Sequence, residues 1–429
     1  MTNANVANTA PVNNKTTAAL PVTLPVMDAM FFDESFKAEL KTKLQLSDEQ
    51  IEKLKTVSRE AVGNLGETED DNYAGSTRDA TKRAEDQIRA ILGDEKTNQL
   101  FKLVRNRWSS GETEMTSAAK PNAIPTDTRI VVNAPAYRMD AFQDGKLVKT
   151  YKIGIGYPEF PLPSGMRKAD TIIFNPTWTP PDEPWVKGNI KAGQKVEAGD
   201  KLNPLGPIKI PIGLPSLIHG GKNPARLGTF ASHGCVGLTN AQVQDFSLVL
   251  SQISGTQLTP EEIKNYEKQK TETKNFKLNA PIQIELRYET IVVEDGKLKI
   301  FRDVYEKGTN TVENLRGVLD AYGVSFDSLT EPERQKITAA LSDMNKDAKG
   351  NLIVENTGNY ANSSAGNMNS MNQNSNPANQ NSNSQAKNSN SGDGSVTRTI
   401  KGKKEVIIEL AQLKGKGYPA AVALNSGGK

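Results

Sequence analysis

Between residues 125 and 305 the apolar side chains arrive in short runs, each ended by glycine, proline or a polar turn. Stretches 129–132, 172–174, 208–210, 217–219, 282–286 and 291–293 are of this kind. They are too short for stable helices, and their branched aliphatic content suits extended backbone. Asp144-Gly145, set between 139–142 and 147–151, is a hairpin signal, because a tight turn there needs positive φ at both positions. Many short strands with few helices imply a mostly β domain of sandwich or barrel type. One helix is expected inside it at 240–254, capped by Thr239 or Asn240. A polar insertion, helical or coil, occupies 259–276.

The flanks have a different texture. Residues 1–27, rich in Asn, Thr, Ala and Pro, read as a disordered leader and show neither the basic start nor the apolar core of a signal peptide. Residues 28–110 read as a hairpin of two antiparallel helices. Ser47 and Gln50 can form a capping box, and Ile51, Leu54, Val57 and Val62 recur near helical spacing. The second helix is expected over 77–108. Residues 111–124 form a linker, 311–345 a helical segment, and 351–395 an Asn/Ser-rich tether that can bury no core. The tail, 396–429, holds one strand candidate at 406–410.

Basic and acidic residues number 53 and 50, a net charge of +3, which excludes a strongly basic nucleic-acid binder. No apolar run approaches the ~18 residues of a transmembrane helix, so no membrane span is expected. One cysteine excludes an internal disulfide.

That cysteine, Cys235, and both histidines, His219 and His233, fall within 219–235. Residues this rare would seldom coincide by chance. A thiolate is a competent nucleophile, and a neighbouring imidazole can take the thiol proton and pass it to a leaving amine. Cys235 stands before a helix, so the helix dipole is expected to favour its thiolate. The amides of His233, Gly234 and Cys235 can face a developing oxyanion, and Gly234 lets substrate approach the backbone. The same three side chains also match a zinc set with an open position. Against zinc, His233 and Cys235 are only two residues apart, and no carboxylate lies nearby in sequence to orient either imidazole.

The stretch His219-Gly220 followed by Ser232-His233-Gly234-Cys235 resembles the signature of the L,D-transpeptidases, the cysteine enzymes that cross-link peptidoglycan. Val132–Arg138, Gly154-Ile155-Gly156, Pro161-Leu162-Pro163-Ser164-Gly165 and the Asn175-Pro176-Thr177-Trp178 stretch resemble further motifs of that family. The resemblance spans roughly 125–305 and implies an L,D-transpeptidase-type β-sandwich at 125–307. It implies Cys235 as the acyl-accepting nucleophile, His219 as base and then acid, and the Gly220 carbonyl as its orienter. It implies that Ser232, His233 and Gly234 shape the oxyanion and substrate site.

Many members carry Arg or Asn two residues after the cysteine. This chain has Gly237, and Arg226 or Lys222 is the candidate replacement, with Arg226 the expected substrate contact. The implied reaction releases D-Ala from a tetrapeptide stem and joins the acyl group to an amine. Water or a protein lysine as acceptor would make a carboxypeptidase or an anchoring enzyme of the same site. A non-catalytic wall-binding scaffold is the rival reading. The resemblance implies no cofactor and no metal. It implies peptidoglycan stem peptides as partners and a location in the periplasm or cell wall. The helical hairpin reads as a solvated spacer or as the dock for a wall-associated protein.

Overall fold

The computed structural model describes residues 21–63, 76–109, 120–179, 195–213, 216–353 and 400–422. Most of the leader, most of the linker, and nearly all of the Asn/Ser-rich tether lie outside the described residues.

The N-terminal region folds as α1 (Leu24–Phe31), α2 (Glu34–Leu44), α3 (Asp48–Gly63), α4 (Thr77–Leu92) and α5 (Asp94–Ser109). This corrects two expectations. Helix α1 begins inside the segment read as leader, because Thr23 caps it, Pro25 fits its first turn, and Val22, Leu24, Val26 and Met27 are buried against the other helices. The hairpin is therefore a bundle. The long helix expected over 77–108 breaks at Gly93, whose φ of +77° closes α4. Ile88, Leu100 and Val104 keep an apolar face on both sides of the break, which hides it in the sequence. The Ser47–Gln50 capping box forms as expected, with bonds of 3.1 and 3.2 Å.

The central region holds β1 (Arg129–Asn133), β2 (Arg138–Gln143), β3 (Lys146–Lys152), β4 (Ile155–Gly156), β5 (Gly165–Phe174), β6 (Ile208–Pro211), β7 (Leu217–His219), β8 (Phe230–Ser232) and β9 (Val236–Gly237). They are followed by α6 (Asn240–Ile253), α7 (Pro260–Lys268) and β10 (Lys274–Arg287). One eight-stranded sheet runs β3-β2-β1-β10-β5-β6-β7-β9. Asp144 and Gly145 turn β2 into β3 with φ of +49° and +75°, the conformation that Asp-Gly supplies. Val243, Phe246 and Leu250 of α6 join Ile130, Ile210, Ile284 and Leu286 of the strands in one core.

At its far end the sheet meets the pair β4–β8 through reciprocal bonds between Gly154 and Gly237, each 2.9 Å. The glycines here are a packing requirement. A Cβ on Gly154 would lie 2.6 Å from Ala231 Cβ, and one on Gly156 would lie 2.0 Å from the Phe160 carbonyl oxygen.

Asn175, at the end of β5, has φ of +45° and is buried. Its amide donates to the carbonyls of Tyr266, Gln269 and Glu272 at 2.6, 3.0 and 3.2 Å, tying the end of α7 to the sheet. Substituting Asn175→Ala strands these carbonyls and is expected to lower stability by about 2 kcal/mol. A denaturant midpoint unchanged from wild type would contradict this.

The C-terminal region contains β11 (Ile291–Glu294), β12 (Lys297–Phe301), α8 (Val312–Ala321), α9 (Glu331–Met344) and β13 (Glu405–Glu409). Strands β11 and β12, read from sequence as part of the catalytic domain to 307, instead form a three-stranded sheet with β13 from the tail. Burial of Leu298, Ile300 and Ile408 against Leu319, Ile337 and Leu341 of α8 and α9 drives this grouping. Asn122 joins this unit to the central domain, donating to Ile291 O and accepting from Val293 N.

Candidate active site

The His-Cys segment enters the fold through three short strands. In the parallel pair β7–β9, Ile218 faces Val236 and His219 faces Gly237. Continued by one residue, this register sets Cys235 beside Leu217, whose backbone hydrogen bond to the sulfur favours the thiolate. His219 and Cys235 are thus diagonal neighbours on one face of the pair, with Gly237 directly opposite His219.

His219 is buried, 3% exposed, and its Nδ1 is 2.8 Å from the Gly220 carbonyl. That carbonyl accepts only from a protonated Nδ1, which leaves Nε2 as the basic nitrogen of the neutral ring. Burial and then the Lys222 ammonium, with Lys209 a smaller contributor, push the imidazole down to about 3. The Gly220 and Leu205 carbonyls oppose this shift. Cys235 keeps some contact with solvent, yet burial pushes its thiol up, against Leu217 and Lys222. The resting pair is therefore neutral imidazole and neutral thiol.

The low imidazole value has a stability consequence. Between pH 6.5 and about 3 the unfolded chain protonates this imidazole while the folded chain does not. Stability is unaffected by this group above pH 6.5 and falls as pH drops, by up to about 1.4 kcal/mol per unit. The stability gap between wild type and His219→Gln, measured by urea unfolding, is expected to move against wild type from pH 7 to pH 4. A gap that stays level would rule this out.

The loop before Cys235 is held by its own polar groups. Ser232 Oγ donates to Cys235 O at 2.6 Å and accepts from Cys235 N at 3.1 Å. Ser216 Oγ donates to Gly234 O at 2.9 Å. Gly234 has φ of +89°, a conformation that disfavours a side chain there. The His233 ring packs edge-on between Tyr157 and Phe160, at centroid distances of 5.1 and 4.8 Å. The helical bundle braces this aromatic loop, with Thr23 Oγ1 bonded to Glu159 O and Thr77 Oγ1 to Pro158 O.

Three expectations need correction. Cys235 does not cap a helix: β9, Leu238 and Thr239 intervene before α6, whose first turn is closed by the Thr239–Gln242 capping box. Dipole assistance to the thiolate is therefore lost within the intervening distance. The Cys235 amide is engaged by Ser232, so it is not an open oxyanion donor in this arrangement. Arg226 turns its guanidinium onto Phe230 O at 2.7 Å and braces its own loop.

Sequence reasoning missed Lys209, which faces His219 across β6–β7, and the Tyr157–Phe160 clasp. Neither stands in the motif: strand pairing reveals the first and ring packing the second. Among the described residues no three His, Cys, Asp or Glu side chains gather as a metal site.

Residues 127–252 match the family model described as YkuD, L,D-transpeptidase catalytic domain. No curated protein matches the chain. Among solved structures, the catalytic domain of the Enterococcus faecium L,D-transpeptidase is 16% identical, with 38% of this chain and 100% of that one covered and a TM-score of 0.24. An L,D-transpeptidase from Mycobacterium smegmatis is 16% identical over 38% of this chain and 58% of its own, TM-score 0.22. L,D-transpeptidase 1 from Mycobacterium tuberculosis is 14% identical over 37% of this chain and 61% of its own, TM-score 0.22. The chain thus spans about three fifths of each mycobacterial protein. The family match falls on the strands and loops that carry His219 and Cys235, so the part of the chain that resembles the YkuD L,D-transpeptidase catalytic domain is residues 127–252.

Proposed function

We propose that this domain is a cysteine L,D-transpeptidase that cross-links peptidoglycan stem peptides. The observation that carries the reading is the pairing of β7 with β9, which sets Cys235 diagonal to a histidine whose Nδ1 is fixed by the Gly220 carbonyl. His219 Nε2 takes the thiol proton as Sγ attacks the carbonyl before a terminal D-Ala. The tetrahedral oxyanion forms beside the Gly234 turn, where backbone amides can stabilise it. Collapse breaks the peptide bond, and His219 returns its proton to the departing D-Ala amine. The thioester then passes its acyl group to an amine of a second stem, and the thiol is restored.

Ser232 holds the loop, His233 shapes its aromatic wall, and Gly234 permits close substrate approach. Since this substrate is peptidoglycan, the proposed place of action is the periplasm or cell wall. No helix among the described residues is long and apolar enough to cross a membrane.

The test is mass spectrometry of products after incubation with a disaccharide-tetrapeptide. Dimers lacking one D-Ala are the expected outcome. D-Ala release without dimers would move the reading to an L,D-carboxypeptidase. No release and no adduct on Cys235 would reject this substrate.

A further inference from the structure

Gly237 lies two residues after Cys235 and directly opposite His219 in the β7–β9 ladder. Its backbone is outside the left-handed region, so conformation alone does not demand glycine. The obstacle to a side chain is specific. An ideal Cβ on Gly237 has Lys222 Cγ, Cε and Cδ as its three nearest atoms, at 2.8, 3.0 and 3.3 Å. The Lys222 stem therefore occupies the space that a side chain at 237 would fill.

Local bonds aim it there. Lys222 N donates to Leu238 O at 3.0 Å. The preceding Gly221, at φ of +81°, donates to Asn240 Oδ1 at 2.7 Å. The half-buried side chain leaves this anchored backbone and crosses Gly237 beside the Cys235–His219 pair. Its charge acts on both members: it is the cation that most lowers the His219 imidazole, and it also lowers the Cys235 thiol.

We propose that Lys222 is a specificity-determining residue, whose ammonium, at the end of the stem that crosses Gly237, receives a carboxylate on the molecule that Cys235 attacks. The ligand class is a peptide ending in a free α-carboxylate one residue beyond the bond that breaks. That identification rests on the transpeptidase reading, whereas the course of the Lys222 stem over Gly237 does not. A flexible ammonium supplies a point charge without the fixed fork of an arginine, so it tolerates variation in the leaving residue. It also disfavours internal peptide bonds, which offer no carboxylate at that distance.

Because Cys235 is the one cysteine of the chain, alkylation reports on it alone. Iodoacetate and iodoacetamide differ in carrying a carboxylate or its neutral amide. Their alkylation rates are measured by intact mass on wild type, Lys222→Met, Lys222→Arg and the double variant Lys222→Met with Gly237→Arg. The iodoacetate-to-iodoacetamide ratio is expected to fall on the order of 10-fold in Lys222→Met. It is expected to persist in Lys222→Arg and to return in the double variant, where an arginine enters the vacated space. A ratio unchanged within about twofold in Lys222→Met would overturn the proposal.

With tetrapeptide donors, wild type is expected to prefer the free acid over the C-terminal amide by about 10- to 100-fold in kcat/KM, mainly through KM. Lys222→Met is expected to lose that preference, and its retention would also overturn the proposal. Should wild type turn over neither peptide, the transpeptidase reading fails, and the alkylation ratio still decides the role of Lys222.

Discussion

Replacing Cys235 by alanine is expected to lower D-Ala release by roughly 10⁴-fold or more, to the uncatalysed background of the assay. The effect is this large because the chain holds no second thiol to replace it. Fold stability is expected to change little. Cys235 is partly exposed, and its backbone bonds to Ser232 do not depend on the side chain. The measurement is the single-turnover rate of D-Ala release, with the urea midpoint as control. Activity retained within tenfold would remove Cys235 from the reaction and overturn the thiol mechanism. His219→Ala should approach the same floor, and the double variant should be no worse than Cys235→Ala, because nucleophile and base act as one unit.

Arg167→Met is expected to raise stability by roughly 3 kcal/mol. Arg167 lies on β5 at 2% exposure, with no hydrogen-bond partner for Nε or Nη2 among the described residues. Burial alone pushes its guanidinium down to about 10, with no carboxylate among the described residues to offset it. That fall from 12.5 corresponds to about 3 kcal/mol at 1.36 kcal/mol per unit. Replacing buried ionic groups by apolar side chains of like volume has stabilised other folds by about 1–4 kcal/mol. Gly213 admits the guanidinium: a Cβ there would lie 3.2 Å from Nη1. Methionine keeps the length and sheds the charge. The urea midpoint should rise. A fall of 1 kcal/mol or more would mean that the charge is compensated in solution by a group not yet recognised.

Local signals made much of the fold legible. The Asp144-Gly145 turn, the Ser47 and Thr239 caps and the short branched runs each depend on a few neighbouring residues, and each forms as its chemistry requires. The clustering of His219, His233 and Cys235 was equally plain. What escaped were partners distant in sequence. Strand β12 has the same alternating pattern whether it pairs within the central sheet or with β13, and Phe301 meets Glu405 only because α8 and α9 cover that small sheet. The buried start of α1 escaped for the same reason, since a short apolar run gains meaning only from the helices it packs on.

At the site, residue types were readable from the motif and their environment was not. A Cys-His pair with a Gly-rich loop specifies a kind of chemistry, because only those side chains can carry it. The neutral resting state of His219 and Cys235 comes from burial, which is a property of the packed chain. The separation of Cys235 from the helix dipole follows from β9, a strand of two residues that propensity alone would not reveal. The path of Lys222 across Gly237 depends on the meeting of two loops, where the missing side chain of one residue admits the long side chain of another. Sequence carries short-range preference and chemical capacity, whereas burial, approach and charge environment arise only when distant segments exclude water together.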